Sequence, residues 1–148
     1  MNNNKLKAIF TSIFLIVCAI GFAQTYYSKS TGDLHNVSTW GQNSDGTGTA
    51  PANFTSNNRT YIIANRTSAT LTANWTVSGT SSKVIVGNSN DSIIFSIPSN
   101  YTYTGTIDVS NKAKLEIANT TNPTLGTMND GSTVVFCSKE NQNIPAVS

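Results

Sequence analysis

Between Tyr61 and Ile117 the chain writes one pattern three times, and this repeat limits what it can fold into more than any other feature. Tyr61, Val84 and Ile107 stand 23 residues apart, as do Ile63, Val86 and Val109, and as do Asn65, Asn88 and Asn111. Each copy is a short strand with alternating apolar residues that runs into a polar turn. A second alternating strand follows each Asn, its copies starting at Leu71, Ile93 and Leu115, spaced 22 apart, with Ala73, Phe95 and Ile117 two residues on. A fixed period of about 20 to 25 residues built only from short strands and turns belongs to a stacked solenoid.

The physical reason to coil is that each such strand has one apolar face to hide. Stacking successive coils about 4.8 Å apart gives every strand N–H and C=O a partner above and below and places like residues over like. The expectation is an all-β, right-handed parallel β-helix, a pectin-lyase-like solenoid with an N-terminal cap and 22–23 residues per coil. In the first coil Tyr61, Ile63, Leu71, Ala73, Trp75 and Val77 point inward; in the second Val84, Val86, Ile93, Phe95, Ile97, Tyr101 and Tyr103 do so. Ile107, Val109, Leu115, Ile117 and Leu125 fill the third, and a fourth begins at Val134 and Phe136. Asn65, Asn88 and Asn111 occupy one corner, where tolerance of left-handed angles and amide-to-amide bonding predict a vertical Asn ladder.

A solenoid exposes the interior of its last rung at each end, so terminal segments must act as lids. Residues 24–58 are expected to form the N-terminal cap and a loop, with the Trp40 indole over the first rung, and residues 59–148 the coils. Asn43, Asp45 and Thr47 alternate before Gly48 like a calcium loop, but one carboxylate is too few for that ion and the stretch reads as a tight turn. An uncapped last coil predicts self-association through its edge.

The chain opens with Lys5 and Lys7, an uncharged run from Ala8 to Ile20, and small residues up to Ala23. That is the layout of a secretory signal peptide over residues 1–23, with Gln24 as the first exported residue. The run is too short for a retained membrane span. Cleavage removes two of the nine Lys and Arg and none of the seven Asp and Glu, leaving a neutral domain. A neutral domain has no electrostatic footing for nucleic acid. Of the two cysteines only Cys137 remains, so no internal disulfide can form.

Catalytic chemistry finds little to work with. His35 is the only histidine, which leaves a Ser/His/Asp or metal arrangement without partners. Cys137 has no basic cluster to activate it. Asp108 and Glu116 both point outward by alternation but from different strands of one coil, with Lys112 and Lys114 close by, which reads as a solvated charge set. No cofactor motif occurs. Outward positions Thr60, Lys83 and Thr106, and Thr72, Ile94 and Glu116, form no unbroken Thr row of the kind a flat ice-binding face requires.

Three stretches together carry a resemblance: YYSKSTGDLHNVSTWG from Tyr26 with Asp45 to Pro51 after it, Ala73 to Val77, and TGTIDVSNKAKLEIANTTNPTLG from Thr104 to Gly126. They resemble the N-terminal β-helix region of large secreted proteins of Bacteroidetes-type bacteria, many of which end in a sorting domain for type IX secretion. The resemblance implies an adhesin-like surface or extracellular molecule and brings no catalytic residue with it. The expected function is a non-enzymatic secreted or cell-surface scaffold that binds a glycan or another surface and stacks on further β-helix coils of a longer chain. The alternative is the N-terminal fragment of a β-helix polysaccharide lyase or glycoside hydrolase with its catalytic coils beyond residue 148.

Overall fold

The structure, a computed structural model, describes residues 23–144. The expected signal peptide lies outside the described residues except for Ala23, as do the last four residues of the expected coil region. Twelve short strands follow in order: β1 (Gln24–Ser28), β2 (Trp40–Gly41), β3 (Arg59–Ile63), β4 (Ser68–Thr70), β5 (Trp75–Thr76), β6 (Lys83–Val86), β7 (Ile94–Ile97), β8 (Tyr103–Thr104), β9 (Thr106–Val109), β10 (Lys114–Ile117), β11 (Thr124–Met128) and β12 (Thr133–Phe136). A single 3-10 turn, Val37–Thr39, interrupts them. Sheet A runs β11-β9-β6-β3-β1-β2, sheet B runs β12-β10-β7-β4, and sheet C pairs β5 with β8. Every pairing between coils is parallel, so the chain is a right-handed parallel β-helix.

In sheet A the columns stand as the period predicts. Tyr61 pairs with Val84 and Val84 with Ile107, while Ile63, Val86 and Val109 stack alongside. All six are fully buried. The columns also extend both ways: Tyr26 lies beneath Tyr61, and Leu125 and Met128 lie above Ile107 and Val109. The strand Gln24–Ser28, assigned to the cap by sequence, is therefore a rung of its own. It escapes the 23-residue period because the excursion from Lys29 to Asn58 separates it from the next rung. Only β2, which closes antiparallel on β1, and the loop around it form the lid.

Sheet B corrects the second column. Phe95, not Ile93, lies beneath Leu115, and Ile97 beneath Ile117; Ala69 pairs with Phe95, and Val134 and Phe136 close the columns above. The expected stack of Leu71, Ile93 and Leu115 is thus broken at two places, since Ile93 falls two residues short of the Leu115 column and Leu71 two residues beyond it, and Ala73 is only half-buried instead of lining the shaft. The cause is the turn. The second coil takes the seven residues 87–93 from sheet A to sheet B where the first and third take four, 64–67 and 110–113. A slip of one residue would have exposed the wrong face, but a slip of two keeps Ile93, Phe95 and Ile97 inside. Leu71, Ile93, Phe95, Leu115 and Ile117 are all buried regardless.

The upper coils are also narrower than expected. Leu125, placed by sequence at the end of the third coil, begins the fourth in sheet A, and Val134 and Phe136 continue that coil in sheet B. Between Ile117 and Thr124 no third strand forms, and Ile107 to Leu125 spans 18 residues against the earlier 23. Opposite faces of one strand should respond very differently to truncation. Ile107→Ala is expected to cost about 2–5 kcal/mol in chemical denaturation, and Thr106→Ala, on the outer face, less than about 0.5 kcal/mol.

Candidate functional site

The closed end of the shaft is aromatic. Trp40 is wholly buried, donates its indole N–H to the Leu34 carbonyl (2.8 Å), and lies edge-on to Tyr61 at 5.5 Å between centroids and beside Trp75 at 5.7 Å. Tyr26 stacks on Tyr61 at 5.5 Å, and Phe54 from the loop adds edge contacts to Tyr61 and Trp75. The indole is thus over the first coil, where the sequence placed it. Burial pushes the Tyr61 phenol up to about 12 and Tyr103 further still, so both stay neutral and act as donors, to the carbonyls of Asn53 and Thr106.

A second fastening was not foreseen. Arg66, on the corner after β3, reaches back to the lid and donates to the carbonyls of Lys29, Thr31 and Gly32. Burial lowers its pKa from the ordinary value, with Asp33 opposing the shift. A planar fork that satisfies three carbonyls of one loop fixes that loop's shape, which a lysine point charge does not. Beside it Asn65, in left-handed conformation at φ 60°, donates to the carbonyls of Ser28 (2.8 Å) and Ser44 (2.9 Å).

The corner does not carry a ladder of amides. Asn65 bonds down to the Gln24–Ser28 rung and to the lid loop, Asn88 folds onto its own turn through Asn90, Asp91 and the Asp91 carboxylate, and Asn111 lies against Gly131. Left-handed angles fall at Asn65, Gly87, Ser89 and Lys112, so the three corners differ in shape. Small residues do the stacking: Ser28 bonds both the carbonyl and N–H of Ala64, and Ser110 donates to Gly87. Away from this corner Asn119 joins two coils: it is buried, with its amide donating to the carbonyls of Ser99 and Tyr101. Its signal was its place directly after the alternating strand that ends at Ile117.

None of the candidate chemical groups assembles into a reaction centre. Thr72 Oγ1 donates to Asp33 (2.8 Å) and lies 3.4 Å from His35 Nδ1, so the hydroxyl sits between carboxylate and imidazole. A triad requires the imidazole in the middle. Asp45 accepts from the N–H and hydroxyl of Thr47, which lowers its pKa, and closes a tight turn. Glu116 pairs with Lys114 at 2.7 Å and accepts from Ser96; these two bonds hold its pKa below the usual carboxylate range. Cys137 is exposed at the rim of a shallow cleft of about 400 Å³ with Ser99, Thr120 and Lys139. Among the described residues no three His, Cys, Asp or Glu side chains group as metal ligands.

Asp108 departs from its expected setting. Although it points outward, it is 7% exposed, because β11 bulges over it between Leu125 and Met128. The bulge aims the Thr127 N–H at one carboxylate oxygen (2.8 Å), and Lys83 takes the other at 2.5 Å. Glycine at 126 leaves the space for this, since a Cβ there would lie 2.1 Å from Asp108 Oδ1, the oxygen that Thr127 holds.

What remains outward on sheet A is orderly. Thr25, Thr60, Lys83, Thr106 and Thr124 form one column and Tyr27, Ile62 and Ile85 the next, all but Thr124 half-buried. The hydroxyl column is interrupted at Lys83, and the apolar strip ends at Asp108, so the ion pair between these two crosses the face between β6 and β9. On sheet B the outward neighbours of Ile94 are Ser68 and Lys114, and Thr72 lies outside that row. No protein family, curated protein or solved structure matches the chain.

Two outcomes are expected. Arg66→Lys should raise amide hydrogen exchange across residues 29–32 while leaving that of β9 and β10 unchanged. Glu116 has a lowered folded pKa, so its contribution is present above the unfolded carboxylate value of about 4.3 and lost as pH falls through the folded one. The group is partly exposed, so the effect is less than about 1 kcal/mol, and denaturation of Glu116→Gln against pH should show that the difference from the parent disappears in acid.

Proposed function

We propose that the chain is a non-enzymatic, secreted or cell-surface β-helix module, an adhesin-like scaffold whose outer face of sheet A binds carbohydrate or another regular surface. The observation that supports this reading is the paired columns on that face: hydroxyls of Thr25, Thr60, Thr106 and Thr124, with Lys83 among them, beside the strip Tyr27, Ile62 and Ile85, which ends at Asp108. A pyranose offers hydroxyl edges and an apolar ring face, and a rigid sheet can meet both without ordering loops. The outward acids fit a structural role, since Asp108 and Glu116 are each held by a lysine on separate sheets. Export through the signal peptide, and the resemblance to type IX secretion substrates, agree with an extracellular setting.

A second reading has one observation in its favour. The core columns run up to a half-buried top at Leu125, Met128, Val134 and Phe136, where further coils of a longer chain could stack and carry the catalytic groups of a polysaccharide lyase or glycoside hydrolase. Fold alone does not choose between the two.

A glycan array of the purified chain, spanning plant, algal and host polysaccharides, tests the first reading. Binding should appear, and Tyr27→Ala combined with Ile85→Ala should weaken it by about tenfold or more, equivalent to about 1.4 kcal/mol, while Thr133→Ala on sheet B leaves it intact. Silence across the array would sink the carbohydrate role. N-terminal sequencing of the exported protein should return Gln24 as the first residue.

A further inference from the structure

Asp-Gly occurs twice in the chain, at Asp45–Gly46 and at Asp130–Gly131, and the fold treats the two pairs differently. Such a pair is chemically weak, because glycine has no side chain to shield its nitrogen or to resist the rotation that brings that nitrogen onto the preceding carboxyl. At Asp45 both reacting groups are engaged. One carboxylate oxygen accepts from the Thr47 N–H (2.9 Å) and hydroxyl (2.6 Å), and the Gly46 N–H donates to the Asn43 carbonyl (2.9 Å). Gly46 is also buried against the backbone of Ser28 and Lys29, where a Cβ would lie 2.7 Å from either, so the pair cannot rotate without leaving the lid.

Asp130 lies between β11 and β12, in a turn closed by the Ser132 N–H on the Asn129 carbonyl (2.9 Å), with Gly131 at φ 78°. Asp130 and Gly131 are both exposed, and among the described residues the Asp130 carboxylate has no hydrogen bond or ion pair. Their exposure does not depend on whether another coil follows. Asn111 and Lys112 hold the same corner one coil below and stay exposed although the 129–132 turn is stacked on them through the Lys112 N–H and the Gly131 carbonyl (3.2 Å).

We propose that Asp130 is a site of spontaneous covalent modification, at which the folded chain isomerises to isoaspartate while Asp45 is protected. The Gly131 nitrogen loses its proton and attacks Asp130 Cγ, one carboxyl oxygen leaves as water, and a succinimide ring closes. Water then opens the ring. Opening at Cγ restores aspartate; opening at the main-chain carbonyl leaves the chain running through Cγ, with the α-carboxylate pendant. The sum is an isomerisation without change of mass that needs no reagent but water. The extra methylene enters the backbone inside the turn that the Ser132 and Lys112 N–H groups hold, so the product loosens the passage from sheet A to sheet B. The inference is independent of what the outer face of sheet A binds.

The test is to warm the full chain at neutral pH, folded and in urea, and to locate isoaspartate in digests by electron-transfer mass spectrometry. In urea the two Asp-Gly pairs should isomerise at similar rates. In the folded chain Asp130 should react faster than Asp45 by about tenfold or more, since Asp45 must first leave its bonds to Thr47. Thr47→Val removes the shorter of those bonds and should raise the rate at Asp45 alone. Amide exchange at Lys112 and Ser132 should quicken as the parent ages but not in Asp130→Glu, whose larger ring closes far more slowly. Equal folded-state rates at the two sites overturn the proposal. So does an Asp130 that stays intact for as long as the unfolded chain takes to isomerise, and this comparison within the parent decides the matter if a variant fails to fold.

Discussion

The structure depends on the parallel backbone ladder between coils, because it ties residues a full turn apart to one another along whole strands and not at single points. The described chain holds no disulfide and few ion pairs. Coil register must therefore be held by hydrogen bonds along each strand and by apolar columns that fill the interior without gaps. The aromatic cluster at the closed end strengthens this where it is weakest. Tyr26 stacks nearly flat on Tyr61, with 14° between the rings, while Trp40 and Phe54 meet Tyr61 edge-on, so one ring is gripped from three directions.

Sheet A was legible because two kinds of mark coincide in it: an apolar, any, apolar triplet and an asparagine two residues later, each repeating at 23. Sheet B lacked the second mark. The run Ile93, Phe95 and Ile97 offers three inward positions of one parity, and nothing in its alternation says which lies under Leu115. Turn length decides, and the turn of the second coil is longer by three residues that look like any other polar stretch. The rung at Gln24–Ser28 was hidden for a related reason. Its partner is 35 residues away, and a period search sees only the regular part of a solenoid.

Outward positions were harder to read than inward ones. Alternation correctly turns Asp108 away from the shaft, yet burial there depends on the next coil, where the Gly126 bulge folds over the carboxylate. The same limit applied to the corners. Asparagine suits a left-handed corner and a stacked amide equally well, but Asn65 serves the lid, Asn88 serves its own turn, and small side chains at Ser28, Ala64, Gly87 and Ser110 make the column. A residue that is permissive in several settings carries little information about which one it occupies.

The coils change cross-section as they rise, and this bears on which face can hold a site. The third sheet exists only where Trp75 meets Tyr103; above that, the direct passage from Ile117 to Thr124 replaces a strand with polar contacts. Asn119 donates down to Ser99 and Tyr101, and Gln142 donates in turn to the Asn119 carbonyl and the Asn122 side chain. A side held by amides tolerates changes in length that a strand ladder would not, since each bond needs one residue in place and not a run of them. Sheet A makes the opposite compromise. It keeps continuous pairing from β1 to β11, and so it alone presents a rigid outer surface along the full height of the shaft.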